Sequence, residues 1–71
     1  MELSQIQSFK VFDTGRRVWI EVRRSTFVDP NWMAEARQQN GLIVASKVIS
    51  PQRAQETWAK YGHLAEVTRL G

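Results

Sequence analysis

The chain has 71 residues, 42% of them hydrophobic, and its ten basic and seven acidic side chains give a net charge of +3. This length and composition argue against disorder and allow one small domain, and no apolar run is long enough to span a membrane. The absence of cysteine excludes disulfides and thiolate metal sites, and the single histidine excludes a histidine cluster. We therefore expect a soluble, cytoplasmic protein without cofactor or metal.

The N-terminal third predicts a hairpin. Residues 1–6 carry little pattern and are interpreted as a loose lead-in, whereas residues 8–24 are predicted to form a basic β-hairpin. Its turn is placed at Asp13-Thr14-Gly15-Arg16, where the glycine can adopt a positive φ. With Phe12 opposite Arg17, the apolar side chains share one face. That face carries Phe9, Val11, Val18, Ile20 and Val22, and the other carries Lys10, Phe12, Arg17, Trp19, Glu21 and Arg23.

The middle of the chain predicts a helix and then a strand. A helix is predicted for residues 29–40, since Asp29 can cap it, Pro30 suits its first position and Asn40-Gly41 can end it. A strand is predicted for residues 42–49, which open on the apolar run Leu42-Ile43-Val44-Ala45.

The last third predicts a second helix and a final strand. The helix covers residues 50–61, with Ser50-Pro51 at its start and Gly62 at its end, and its apolar side chains recur with helical spacing. Residues 64–70 alternate as a strand does. The element order ββαβαβ predicts an α+β domain with one four-stranded sheet and both helices on one face. The strand order is left open, and the other face of the sheet is expected to stay uncovered.

Basic charge is concentrated in the hairpin. Residues 10–24 account for the whole net charge, and seven of the ten basic residues are arginine. The planar guanidinium suits phosphate or carboxylate partners. We therefore expect a partner with an acidic surface, either a host protein or a nucleoprotein.

The aromatic side chains Phe12 and Trp19 lie among these charges on the predicted open face. Such a surface is typical of protein interfaces, and it also resembles sheets that stack on single-stranded nucleic acid. A third interpretation is that Trp19 only packs along a neighbouring strand. Trp32, Trp58 and Tyr61 are interpreted as core. No nucleophile, base and orienting group are suggested by the sequence, so an enzyme is not expected.

One family resemblance appears in residues 50–70. A capped helix beginning at Ser50-Pro51 and carrying Trp58 leads into the strand Glu66-Val67-Thr68-Arg69. This segment resembles the end of the small phage-encoded inhibitors of host RNA polymerase. The resemblance implies that Arg69 helps to grip an acidic strip of a host polymerase, while a second arginine of that family would fall on Gly71.

The sequence thus predicts a non-enzymatic protein-interaction module, encoded by a phage or mobile element, that inhibits a host macromolecular machine through a basic, aromatic surface. The alternative is a nucleic-acid-binding domain that uses the same face of the hairpin. The predicted partner-binding residues are Lys10, Phe12, Arg16, Arg17, Trp19, Arg23, Arg24 and Arg69.

Overall fold

Five antiparallel strands form one sheet, and a single α-helix packs on one of its faces in this computed structural model, which describes all 71 residues. The first four strands form a meander, and the last one returns after the helix to pair with the first, so the spatial order is β4-β3-β2-β1-β5. The elements are β1 (Ile6–Asp13), β2 (Val18–Arg24), β3 (Trp32–Arg37), β4 (Ile43–Ile49), α1 (Pro51–Tyr61) and β5 (Glu66–Arg69), with 3-10 turns at Leu3–Gln5 and Gly62–Leu64.

The predicted ββαβαβ arrangement with a four-stranded sheet and two helices is wrong, because residues 29–40 do not form a helix. They contain β3, which pairs with β2 on one side and β4 on the other. Asp29 and Pro30 lie in the preceding turn, joined by a cis peptide bond, and Asn40-Gly41 lies in the turn that leads into β4. Met, Ala, Glu, Arg and Gln favour helix locally, but pairing on both sides overrides that weak preference.

The N-terminal residues are part of the core, which corrects the predicted loose lead-in. Leu3 and Ile6 are buried, and Ile6 begins β1. Two further hydrogen bonds hold the segment: the Leu70 N–H donates to the Gln5 carbonyl at 3.0 Å, and the Trp58 indole N–H donates to the Met1 carbonyl at 3.3 Å. The local sequence pattern does not predict that this segment is buried, because the residues that contact it, such as Trp58 and Leu70, lie far away in the sequence.

The hairpin has a different register from the predicted one. Phe12 lies opposite Trp19 instead of Arg17, and the connection spans residues 14–17. The shift is two residues, so the side chains within β1 and β2 stay on the faces that alternation predicted, whereas Arg17 falls in the connection. Arg17, with φ of 59°, takes the left-handed conformation that was expected of Gly15.

The core lies between α1 and the central strands. Its buried side chains are Leu3, Ile6, Phe9, Val22, Trp32, Ile49 and Ala54. Trp58 of α1 packs edge-on against Phe9, with ring centroids 5.2 Å apart and planes at 64°. We call the side of the sheet that carries Phe9, Val22 and Trp32 the helix-covered face, and the opposite side the uncovered face.

The predicted helix 50–61 corresponds to α1, and both of its ends have a local cause. The Ser50 hydroxyl accepts a hydrogen bond from the Arg53 N–H at 3.0 Å. Gly62 follows the last helical residue but keeps a right-handed φ of −57°, so no unusual backbone conformation requires glycine there. A Cβ at this position would lie 2.8 Å from the Trp58 ring, and this close approach explains the glycine.

Gly62→Ala is therefore expected to destabilise the protein by about 1–3 kcal/mol, because the new methyl group collides with an aromatic ring that is part of the core. The free energy of unfolding from urea titrations measures this cost. In a Trp58→Ala background the same substitution should cost almost nothing, since the colliding ring is gone. An equal cost in both backgrounds would contradict the packing described here.

Candidate functional site

Four of the predicted partner-binding residues lie together on the uncovered face: Lys10, Phe12, Trp19 and Arg23. Phe12 and Trp19 are directly opposite each other, and their rings meet edge to face with centroids 5.4 Å apart. The Lys10 ammonium lies 5.2 Å from the Trp19 ring centroid, within the range of a cation–π interaction. The strand register therefore places the Phe12–Trp19 pair next to the Lys10 cation.

This face is not basic overall, although the hairpin sequence predicted that it would be. The buried carboxylate of Glu35 accepts a hydrogen bond from Arg23 Nε at 2.9 Å and lies 3.6 Å from Arg37 Nη2. Arg37 also lies 3.8 Å from the Glu21 carboxylate. The ionisable side chains of the face balance one another, with Lys10, Arg23 and Arg37 against Glu21, Glu35 and Glu66.

The hydrogen bond from Arg23 lowers the pKa of Glu35 below its ordinary value, even though burial acts in the opposite direction. The same bond raises the pKa of Arg23, which burial alone would lower. Both groups thus stay charged and are committed to each other. Arg23 is consequently a poor donor for an external partner.

Arg16 and Arg17 lie in the hairpin turn and are exposed. The Asp13 carboxylate organises the turn by accepting hydrogen bonds from the backbone N–H groups of Gly15 and Arg16, at 3.0 and 3.1 Å. It also lies 3.8 Å from the Arg16 guanidinium. Arg17 has no such partner, so its charge projects from the end of the sheet.

The remaining two predicted residues lie elsewhere. Arg24 is on the helix-covered face, where it donates to the carbonyls of Ile6 at 2.7 Å and Leu3 at 3.0 Å and stacks 4.4 Å from the Trp32 ring centroid. Its guanidinium therefore holds the N-terminal segment in place. Arg69 is exposed on β5, opposite Ile6. The eight predicted residues do not form one continuous surface.

An open cleft of about 470 Å³ lies beside the aromatic pair. It exists because β5 begins opposite Lys10, so the last residues of β1 have no neighbour on that side. The end of α1 and the following 3-10 turn close the cleft with Tyr61 and Leu64, which are 39% and 71% exposed. We call this the aromatic cleft. Its apolar lining consists of Val11, Phe12, Trp19, Ile20, Tyr61 and Leu64.

Sequence analysis missed Leu64 and assigned Tyr61 to the core. The available signal was an apolar residue directly after a helix-ending glycine and histidine, where no core stripe continues. Two polar groups that line the cleft are already engaged in structure. Asp13 accepts the backbone hydrogen bonds of its turn, and the Thr57 hydroxyl donates to the Arg53 carbonyl at 2.9 Å.

No protein-family model matches the chain, and neither curated proteins nor solved structures give a significant match. The likeness of residues 50–70 to phage inhibitors of RNA polymerase therefore stays a prediction. No group of three histidine, cysteine or acidic side chains is arranged to hold a metal ion. None of the helices has the length and hydropathy that crossing a bilayer requires.

Arg17→Gly is expected to raise the free energy of unfolding by up to about 1 kcal/mol, because glycine adopts a positive φ without a steric cost. Arg16→Gly is the matched control, and it should lower stability by about 0.5–1 kcal/mol. Its φ is not positive, so the substitution raises backbone entropy in the unfolded chain and removes only an exposed ion pair with Asp13. Chemical denaturation of both variants distinguishes the two positions. Equal losses at both would show that residue 17 is unstrained.

Stability is expected to fall in acid through Glu35. Its pKa is lower in the folded than in the unfolded chain, so its contribution is complete above the ordinary glutamate pKa of about 4.3 and is lost as the pH falls through the folded value. Urea midpoints from about pH 7 to about pH 2 should show Glu35→Gln as less stable at neutrality but with a shallower acid decline. Glu56→Gln, on the exposed side of α1, should parallel the parent. Parallel curves for parent and Glu35→Gln would contradict this role.

Proposed function

We propose that the protein is a non-enzymatic module that binds another protein, and that the aromatic cleft receives an apolar side chain of that partner. The observation that carries this proposal is the exposure of Phe12, Tyr61 and Leu64 around a concave site. These side chains leave apolar surface in contact with water. A partner that covers this surface gains about 25 cal/mol of binding free energy per Å² removed from water. Aromatic anchors in a pocket are where interfaces concentrate their binding energy.

Contacts within the cleft support this role because they already hold one of its aromatic side chains. Trp19 is held from one side by Phe12 and from the other by Lys10. A side chain that is already ordered loses less conformational entropy on binding. The cleft thus offers a preformed contact instead of one assembled at the moment of binding.

The charge next to the cleft indicates what surrounds the apolar contact. Arg17 is exposed in the turn that borders the cleft, and it keeps a backbone conformation that glycine would adopt more easily. Strained backbone conformations of this kind are concentrated at functional sites. We propose that Arg17 meets an acidic group on the partner, which retains the acidic partner predicted from composition. Whether that partner is a host machine inhibited by a phage protein stays a prediction of the C-terminal resemblance.

Leu64→Ser is expected to weaken partner binding about tenfold or more while leaving stability within about 0.5 kcal/mol, because Leu64 contributes to the cleft and not to the core. Phe27→Ser is the matched control, since Phe27 is 97% exposed but lies in the turn between β2 and β3. The measurement compares tagged parent and both variants in capture from a bacterial lysate, followed by titration of the identified protein. If the parent and Leu64→Ser bind the partner with equal affinity, the aromatic cleft is not the binding site.

The alternative function is tested with a 30-nucleotide single strand at several salt concentrations. Affinity that falls steeply with salt and disappears in Trp19→Ala would favour nucleic-acid binding through the aromatic pair. We expect no such binding, because the charges of the uncovered face are balanced. In the protein titration, Arg69→Ala should weaken binding only if the resemblance of residues 50–70 extends to function.

A further inference from the structure

The strand β4 is an edge of the sheet with no protection along most of its length. It has seven residues, pairs only with β3, and exposes three apolar side chains, Ile43, Val44 and Val48, by 43–50%. The other edge, β5, has four residues and is mostly polar. Natural sheets shorten, charge or cover their edges because unpaired backbone groups attract further strands. β4 carries only Lys47 and a bulge near its start.

The two sides of β4 differ in chemistry. Ala45 and Lys47 pair with Ala36 and Ala34 and lie on the helix-covered face. Val48 pairs with Met33 and lies on the uncovered face. A strand added to this edge would therefore meet a cation on one side and apolar side chains on the other.

The charged side of β4 borders a groove of about 480 Å³ that separates this strand from α1. The short side chains of Ala34, Ala36 and Ala45 leave it open, and Lys47 and Arg53 lie along it. No carboxylate oxygen lies within 4.0 Å of either cation, whereas the other arginine of the groove, Arg16, has Asp13. The groove thus contains two cations without an ion-pair partner beside an unpaired edge, whereas its two carboxylates are already paired, Asp13 with Arg16 and Glu35 with Arg23 and Arg37.

We propose that β4 binds an extended acidic segment of another protein as a sixth strand. The segment hydrogen-bonds to the free backbone edge, as in other β-augmented complexes. Its acidic side chains face Lys47 and Arg53 in the groove, and its alternate, apolar side chains cover Val48 and Ile43 of β4. This site lies at the opposite edge of the sheet from β5. Its groove shares Asp13, Ile20 and Tyr61 with the aromatic cleft, but Phe12, Trp19 and Leu64 line the cleft alone.

The charges argue against a second copy of this chain as the occupant. Antiparallel pairing of two β4 strands around Ser46 would place each Lys47 opposite the partner's Ala45 and diagonal to the other Lys47. The two Arg53 side chains would add to the same groove. These four cations have no ion-pair partner and repel one another, and like charges on neighbouring strands destabilise a sheet.

The probe is a blocked nine-residue peptide that alternates glutamate with valine, titrated into ¹⁵N-labelled protein. We expect the largest chemical-shift changes at the amides of residues 43–49 and no change of comparable size at β5. The same peptide with lysine in place of glutamate should bind about tenfold more weakly or not at all. A third peptide, with the composition of the first but acidic and apolar residues in separate blocks, should also lose affinity.

Variants test the charge and the strand geometry separately. Lys47→Glu combined with Arg53→Glu should lower the affinity for the glutamate peptide at least about tenfold and raise the affinity for the lysine peptide. Lys60→Glu combined with Arg69→Glu changes the net charge equally but leaves the groove intact, so it should bind like the parent. Methylating alternate peptide amides in two complementary sets should abolish binding with one set only, because one edge of the added strand faces β4.

Three results would overturn the proposal. They are chemical-shift changes confined to the aromatic cleft, equal affinity for the glutamate and lysine peptides, and equal effects of the two methylated sets. A concentration-dependent dimer in sedimentation experiments that Val48→Lys dissociates would identify a second copy as the occupant. If the proposal for β4 fails, the proposal for the aromatic cleft still stands, since Leu64→Ser tests the cleft alone.

Discussion

One short helix has to cover a five-stranded sheet, and this constraint determines where the molecule is closed and where it is open. An α-helix of eleven residues is about 16 Å long, and four strand spacings extend over about 19 Å. Trp58 and Ala54 are therefore placed over the core residues around Phe9. The end of β1 on one side and β4 on the other are bordered by the helix, through Tyr61 and Arg53, but not covered by it. Both candidate sites lie at these two places.

The ends of the core are covered by side chains, in places where a second helix would cover them in a larger domain. Leu3 and Ile6 fill space on the helix-covered face, and Arg24 holds both of their carbonyls. Trp32 lies between this arginine and Ile49 of the neighbouring strand. An arginine in this position serves packing as much as charge, because its long stem and flat guanidinium cover an aromatic ring.

The sequence was informative where signals are local and misleading where contacts are distant. Helix α1 is predictable because Ser50, Pro51 and the spacing of Ala54 and Trp58 all act within one segment. The alternation of the hairpin likewise sorts its side chains onto the correct faces, although the turn shifts the register. Residues 32–37 are different, since good helix formers there become a strand only through pairing with β2 and β4.

That single error also accounts for the misjudged charge of the site. With residues 29–40 as a helix, nothing places Glu35 and Arg37 next to the hairpin, and Arg23 counts as a free cation. Once they form β3, Glu35 lies beside Arg23 and the basic face becomes neutral. The cations without a salt bridge then include Arg17 in the hairpin turn and Lys47 and Arg53 beside β4. The sequence marks Leu64 only as an apolar residue beyond the helix, because its role in the cleft depends on where β5 starts.

The order of the elements along the chain has a consequence for folding during synthesis. The meander β1–β4 uses contacts between neighbours in sequence, which form quickly. Its apolar face, with Phe9, Val22 and Trp32, is covered only after the helix and β5 have been made. Until then the nascent sheet has three bare boundaries, namely this face, the β4 edge and the edge of β1 that β5 later closes. A protein of this topology is therefore most exposed to unwanted association while its meander has formed and α1 and β5 have not yet packed against it.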